Sequence, residues 1–184
     1  MTTARYLVVL ASAEPSATDS LADLLRDICT VRTAYTTEEV LDRLDGEVDV
    51  VLVDPALAAD AVALVTEAVE GRALDCQVGV LDAAERDDDG VDDVVSPSLP
   101  DERIRDRVVE LGRRAQYRKA LESYYALAET NADADEADPD RPDPDRLQER
   151  LDRLESRLDD AAESLDAAAL FEAALGDCDD EIED

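Results

Sequence analysis

Short apolar runs rich in β-branched residues, set apart by amphipathic stretches of helical length, constrain this chain more than any other feature. The runs are Tyr6-Leu-Val-Val-Leu-Ala11, Val31-Arg-Thr-Ala34, Val48-Asp-Val-Val-Leu-Val53, Val78-Gly-Val-Leu81 and Val94-Val95. Between them, Ser16 to Ile28 places Leu21, Leu24, Leu25 and Ile28 on one helical face, and Ala58 to Glu70 carries Ala61, Leu64, Val65 and Ala68. Thr36-x-x-Glu39 is a capping box that opens a helix carrying Val40, Leu41 and Leu44. Such alternation predicts an α/β fold, a parallel sheet with helices on both faces and right-handed crossovers. The stretch Asp82 to Gly90, DAAERDDDG, is too short and acidic for a full helix and reads as a loop or a single turn.

Beyond the last run the period changes. A helix is expected from Pro100 or Asp101 to about Thr130, with Ile104, Val108, Leu111 and Ala115 at 4-3-4 spacing and Leu121, Tyr124 or Tyr125, and Ala128 continuing the stripe after a phase shift. Asn131 to Asp145, NADADEADPDRPDPD, reads as a solvated linker or wide hairpin loop. Leu147, Leu151, Leu154, Leu158, Ala161, Leu165 and Ala168 then repeat at heptad spacing, which fits either an antiparallel hairpin with the preceding helix or a self-associating coiled coil. Residues 171–184 form an acidic tail.

Charge narrows the function classes. The 184 residues hold 49 Asp and Glu against 18 Lys and Arg, a formal charge of −31, and no histidine. So negative a surface repels phosphate backbones and anionic lipids, which argues against direct nucleic-acid or membrane binding. Lack of histidine removes the commonest general base and transition-metal ligand, which sets aside zinc and triad hydrolases. Among the basic residues Lys119 is the sole lysine, and with the acid excess this predicts adaptation to molar salt, where screening mutes self-repulsion, and low stability without it. Arg103, Arg105, Arg107, Arg113, Arg114, Arg118 and Lys119 cluster on the long helix and read as counter-charge for acidic neighbours in preference to the alternative, a nucleic-acid patch. Cys29, Cys76 and Cys178 sit in no ligand spacing and are expected to be small apolar residues in a reducing cytosol. No run approaches the length of a membrane span and no leader pattern is present, so a cytoplasmic location is expected.

Two blocks, VRTAY at Val31 to Tyr35 and EVDVVLVD at Glu47 to Asp54, resemble the second and third strands of the response-regulator receiver domain. The block Arg113-Arg-Ala-Gln-Tyr-Arg-Lys-Ala-Leu-Glu-Ser-Tyr-Tyr-Ala-Leu-Ala128, followed by the Leu-rich helix, resembles the HalX domain, a helical module that follows receiver-like domains in halophilic archaea. The resemblance implies a doubly wound five-stranded parallel sheet of receiver, or flavodoxin-like, type over residues 1–112. It implies a HalX-like helical hairpin or coiled coil over 113–170, with the linker at 131–145 inside it.

Receivers transfer a phosphoryl group to an Asp at the end of the third strand, with magnesium held by that Asp and an acidic pair after the first strand. Here Asp54 matches the acceptor, while the acidic pair aligns with Ser12-Ala13 and leaves Glu14 just beyond the usual place. The hydroxyl position aligns with Asp82 and the Lys-Pro pair with Ser96-Pro97. The expectation is therefore a non-enzymatic pseudo-receiver with a vestigial acceptor, no cofactor, and at most weak cation binding at Glu14, Asp54 and Asp82. It would act on a protein partner or a second copy through the helices carrying Leu147, Leu151, Leu154, Leu158 and Leu165. Alternatives are a phosphorelay regulator using Asp54 and magnesium, a transcription-linked regulator, and a coiled-coil assembly protein.

Overall fold

The computed structural model describes residues 6–82, 90–133 and 144–165. Its elements run β1 (Tyr6–Ala11), α1 (Pro15–Leu25), β2 (Cys29–Ala34), α2 (Thr37–Arg43), β3 (Val50–Val53), α3 (Ala61–Gly71), β4 (Gln77–Val80), β5 (Asp93–Val94), α4 (Asp101–Asp133) and α5 (Pro144–Ser164). The five strands form one parallel sheet in the order β2-β1-β3-β4-β5. The chain divides into two compact units, 1–115 and 116–184, with the boundary inside α4.

Alternation along the strands sorts the first unit into two cores. Val8, Leu10, Val50 and Leu52 point to one face and meet Ala22 and Leu25 of α1 and Ile104, Val108 and Leu111 of α4. Val9, Ala11, Val51 and Val53 point to the other and meet Val40 of α2 and Ala61, Val65 and Val69 of α3. The doubly wound five-stranded parallel sheet is thus the observed fold. Cys29 and Cys76 are buried, and Cys178 lies outside the described residues.

Several boundaries shift, each for a local reason. Helix α1 ends at Leu25 and not Ile28, because β2 begins at Cys29, in register with Tyr6. Helix α3 starts at Ala61, later than Ala58, since a turn closes first with the Leu57 amide donating to the Asp54 carbonyl. Leu64, assigned to the buried face, is 37% exposed; the face is centred on Ala61, Val65 and Val69, one helical turn apart each, with Thr66 beside them. In α2 the Thr36 hydroxyl accepts from the Glu39 amide, and the Glu39 carboxylate accepts from Tyr35, one residue before the cap. Helix α4 continues through Asn131 to Asp133, three residues assigned to the linker; 134–143, the linker's centre, lies outside the described residues, as do 83–89 and the tail.

Two acids do structural work at the amino ends of the strands. Buried Asp49 accepts from the Leu7 amide at 2.9 Å, and Asp92 accepts from the Val78 amide at 2.6 Å. Each satisfies a backbone donor where a strand begins. On α4, Arg105 donates to the Leu24 carbonyl, Arg107 pairs with Asp93 and Arg114 with Glu110. In the second unit Tyr124 of α4 donates its hydroxyl to Glu155 of α5 at 3.2 Å. Leu151, Leu154 and Leu158 are half-buried and Leu165 is buried, while Leu147 is described only as backbone.

Helix α4 sits close to the sheet because it carries glycine where it crosses Tyr6. A Cβ at Gly112 would lie 2.5 Å from Tyr6 Cγ. Gly112→Ala should therefore lower stability by about 1–2 kcal/mol, because ring displacement of overpacking type outweighs the roughly 1 kcal/mol helix-propensity gain. Gly71→Ala, at the end of α3 and facing open space, is the control and should be neutral to stabilising by up to about 1 kcal/mol in urea titrations; equal stability of the two variants would contradict this packing.

Burial raises the Tyr6 phenol above its ordinary value, with the Arg113 guanidinium pulling the other way. Its contribution is complete below about pH 10 and lost as pH rises through the raised value, because the unfolded phenol ionises first. Tyr6→Phe should remove this part of the alkaline loss in melts at increasing pH. An unchanged alkaline slope would contradict it.

Candidate functional site

Parallel pairing of β1 with β3 aligns Ala11 with Val53, so Ser12 and Asp54 emerge side by side from the carboxyl edge of the sheet. Open sheets of this kind bind ligands at that edge. The Asp54 amide donates to the Ala11 carbonyl at 2.8 Å, which fixes the acid's backbone to the end of the neighbouring strand. Ser12, 2% exposed, donates its hydroxyl to Asp54 Oδ2 at 2.7 Å and accepts from the Glu14 amide at 3.2 Å. The Ala56 amide donates to Asp54 Oδ1 at 2.8 Å. Among the described residues each carboxylate oxygen of this half-buried Asp therefore has one protein donor, a hydroxyl or an amide, and neither is cationic.

The other aligned positions spread around this pair. Ala13 and Glu14 are exposed, with Glu14 at the start of α1, where its carboxylate accepts from the Ser16 hydroxyl. Asp82 follows β4 and is half-buried. Ser96 follows β5 and turns its oxygen to the Ser98 amide at 3.3 Å, closing the turn that leads into α4, and Pro97 is exposed. A cleft of about 580 Å³ opens between α1, α4 and the strand ends; Ser12, Glu14, Asp54 and Pro97 line it, whereas Ala13, Asp82 and Ser96 do not. Among the described residues no three Asp, Glu or Cys side chains converge as a metal-holding group, so Glu14, Asp54 and Asp82 do not form one.

Sequence reasoning missed the bond between Ser12 and Asp54 and the Leu-lined depth of the cleft. The first was open to inference, since residues directly after two paired parallel strands must be neighbours. The second depends on how α1 and α4 pack.

Comparison with known proteins places this geometry in a recognisable setting. No family model matches the chain. A Haloferax volcanii protein described as a proposed transcriptional regulator is 37% identical over 112 residues, covering 57% of this chain and 19% of that protein. The chain thus spans about a fifth of the relative's length. Among solved structures, a CheY-like receiver domain from Methanospirillum hungatei aligns with TM-score 0.53 and 15% identity over 61% of this chain and 97% of that one. The signal receiver domain of a proposed Luxo repressor from Vibrio parahaemolyticus gives 0.55 at 14% identity, covering 64% and 98%. That of a proposed response regulator NarL from Mycobacterium tuberculosis gives 0.52 at 18%, covering 59% and 96%. The fold of the first unit is that of response-regulator receiver domains.

The Ser12 hydroxyl tests the geometry. Ser12→Ala should cost about 1 kcal/mol through the lost bonds, and Ser12→Asp more, because it sets a second carboxylate against Asp54 in a nearly sealed position. Urea titration in molar potassium chloride measures both; a Ser12→Asp variant as stable as the parent would contradict the arrangement.

Proposed function

We propose that this chain is a non-enzymatic regulatory protein, in which a receiver-like domain has lost phosphoryl transfer and is joined to a HalX-like helical module that acts through protein contacts. The observation that carries this reading is the Ser12 hydroxyl bonded to Asp54 where receivers place an acidic pair. Magnesium takes near-octahedral oxygen ligands and favours carboxylates. Ser12 is neutral, its proton is committed to Asp54 and its oxygen to the Glu14 amide, and Ala13 offers no donor. These residues do not fit the ion.

The remaining positions oppose the chemistry in the same sense. Asp82 brings negative charge to the place where receivers hold a phosphoryl oxygen with a hydroxyl, and Ser96 replaces the lysine that would offset that charge. The acid excess reads as a coat suited to molar salt. Contacts with a partner protein, or with a second copy, are assigned to the second unit, where Leu151, Leu154 and Leu158 are half-buried and Tyr125 is exposed. The relative's description favours an output linked to transcription, reached through a protein intermediary, since Arg105, Arg107 and Arg114 of α4 are engaged with acids and a carbonyl of this chain.

Genetic complementation separates this from a phosphorelay. In a host lacking the gene, Asp54→Asn should restore the parental transcript profile, whereas Leu151→Asp with Leu158→Asp should not. An Asp54→Asn strain indistinguishable from the deletion would overturn the proposal.

A further inference from the structure

The cleft at the carboxyl edge of the sheet is too large and too apolar for an ion site. Its roughly 580 Å³ falls within the range of small-molecule pockets, about 300–1,000 Å³. Leu21 and Leu24 of α1 and Ile104 of α4 supply apolar wall, the two leucines being only partly buried against the core. Glu14, Asp54 and Asp101 supply the charge, and among the described residues no lysine or arginine lines the cleft. Arg105, one residue beyond Ile104, directs its Nε to the Leu24 carbonyl. The amino termini of α1 and α4 each offset about half a charge, so three carboxylates leave the cleft negative.

We propose that this cleft binds a small organic cation, a primary ammonium or guanidinium group carried on a short hydrocarbon chain. The cationic head fits between Glu14 and Asp54. Each Asp54 oxygen takes one protein donor, Ser12 Oγ or the Ala56 amide, and a carboxylate oxygen accepts two. The hydrocarbon lies against Leu21, Leu24 and Ile104. In molar salt an exposed ion pair is screened within about 3 Å, so a ligand recognised by charge alone would be displaced by potassium. Burial of hydrocarbon is not screened, which is why the chemistry favours an amphiphilic cation over a bare metal. Occupancy of the cleft is independent of the protein contacts assigned to the second unit.

The test uses the full chain in molar potassium chloride, with pentylammonium chloride as the probe and 1-pentanol and magnesium chloride as comparators. Pentylammonium should raise the melting temperature in a saturable way and shift the backbone amide resonances of Ser12, Glu14 and Ala56. Glu14→Gln with Asp54→Asn should weaken its binding about fivefold or more, in line with loss of the charge pairing. Asp101→Asn, on the exposed first turn of α4, should weaken it in the same direction and serves if the double variant fails to fold. Equal effects from pentanol, equal shifts from magnesium, or no saturable shift with pentylammonium would each overturn the proposal, and none of these would alter the outcome of the complementation experiment.

Discussion

Everything at the candidate site depends on the parallel pairing of β1 with β3. Both strands are buried on both faces, with Val8 to Ala11 and Val50 to Val53 sealed from solvent, so a slip of one residue would exchange the two cores. The register is therefore fixed by burial, and it delivers Ser12 and Asp54 to the same edge as neighbours. The bond between their side chains follows from that constraint: an acid at the end of a buried strand needs donors, and the nearest side chain in reach is a hydroxyl.

The same constraint shows why replacement at a few positions changes what the fold can do while leaving the fold intact. A carboxylate pair at Ser12 and Ala13 would repel Asp54 unless a cation lay among them. With serine and alanine in those places the edge is stable by itself, through hydrogen bonds from Ser12 and Ala56. Helix α4, held to that scaffold by Ile104, Val108, Leu111 and the Gly112 contact with Tyr6, then continues into the second unit, where Tyr124 bonds Glu155 of α5.

Much of this was legible in the residues themselves. Valine-rich runs announced β1, β3 and β4 because the centre of a sheet covered on both faces needs apolar side chains, whereas the more polar edge strands β2 and β5 were marked only by Val31 and by Val94, and the 4-3-4 spacing from Ile104 to Ala115 announced the buried face of α4. The phase of α3 was misjudged at Leu64, since alanine and valine at Ala61, Val65 and Val69 define the face as well as leucine does and are less conspicuous. That Asp49 and Asp92 each complete a strand's hydrogen bonding was not legible; in a chain with 49 acids composition hides the few that are structural. The cleft was invisible for a different reason, being made of gaps between α1 and α4 and not of any pattern along the chain.

The central claim is that Asp54 keeps the place of a phosphoryl acceptor without the surroundings that make one work. Incubation of the full chain with a small acyl phosphate and magnesium in molar potassium chloride, followed by intact-mass measurement, tests it most directly. The account predicts no phosphoryl adduct above that formed by the Asp54→Asn variant. A stoichiometric, magnesium-dependent adduct that the variant does not form would contradict it.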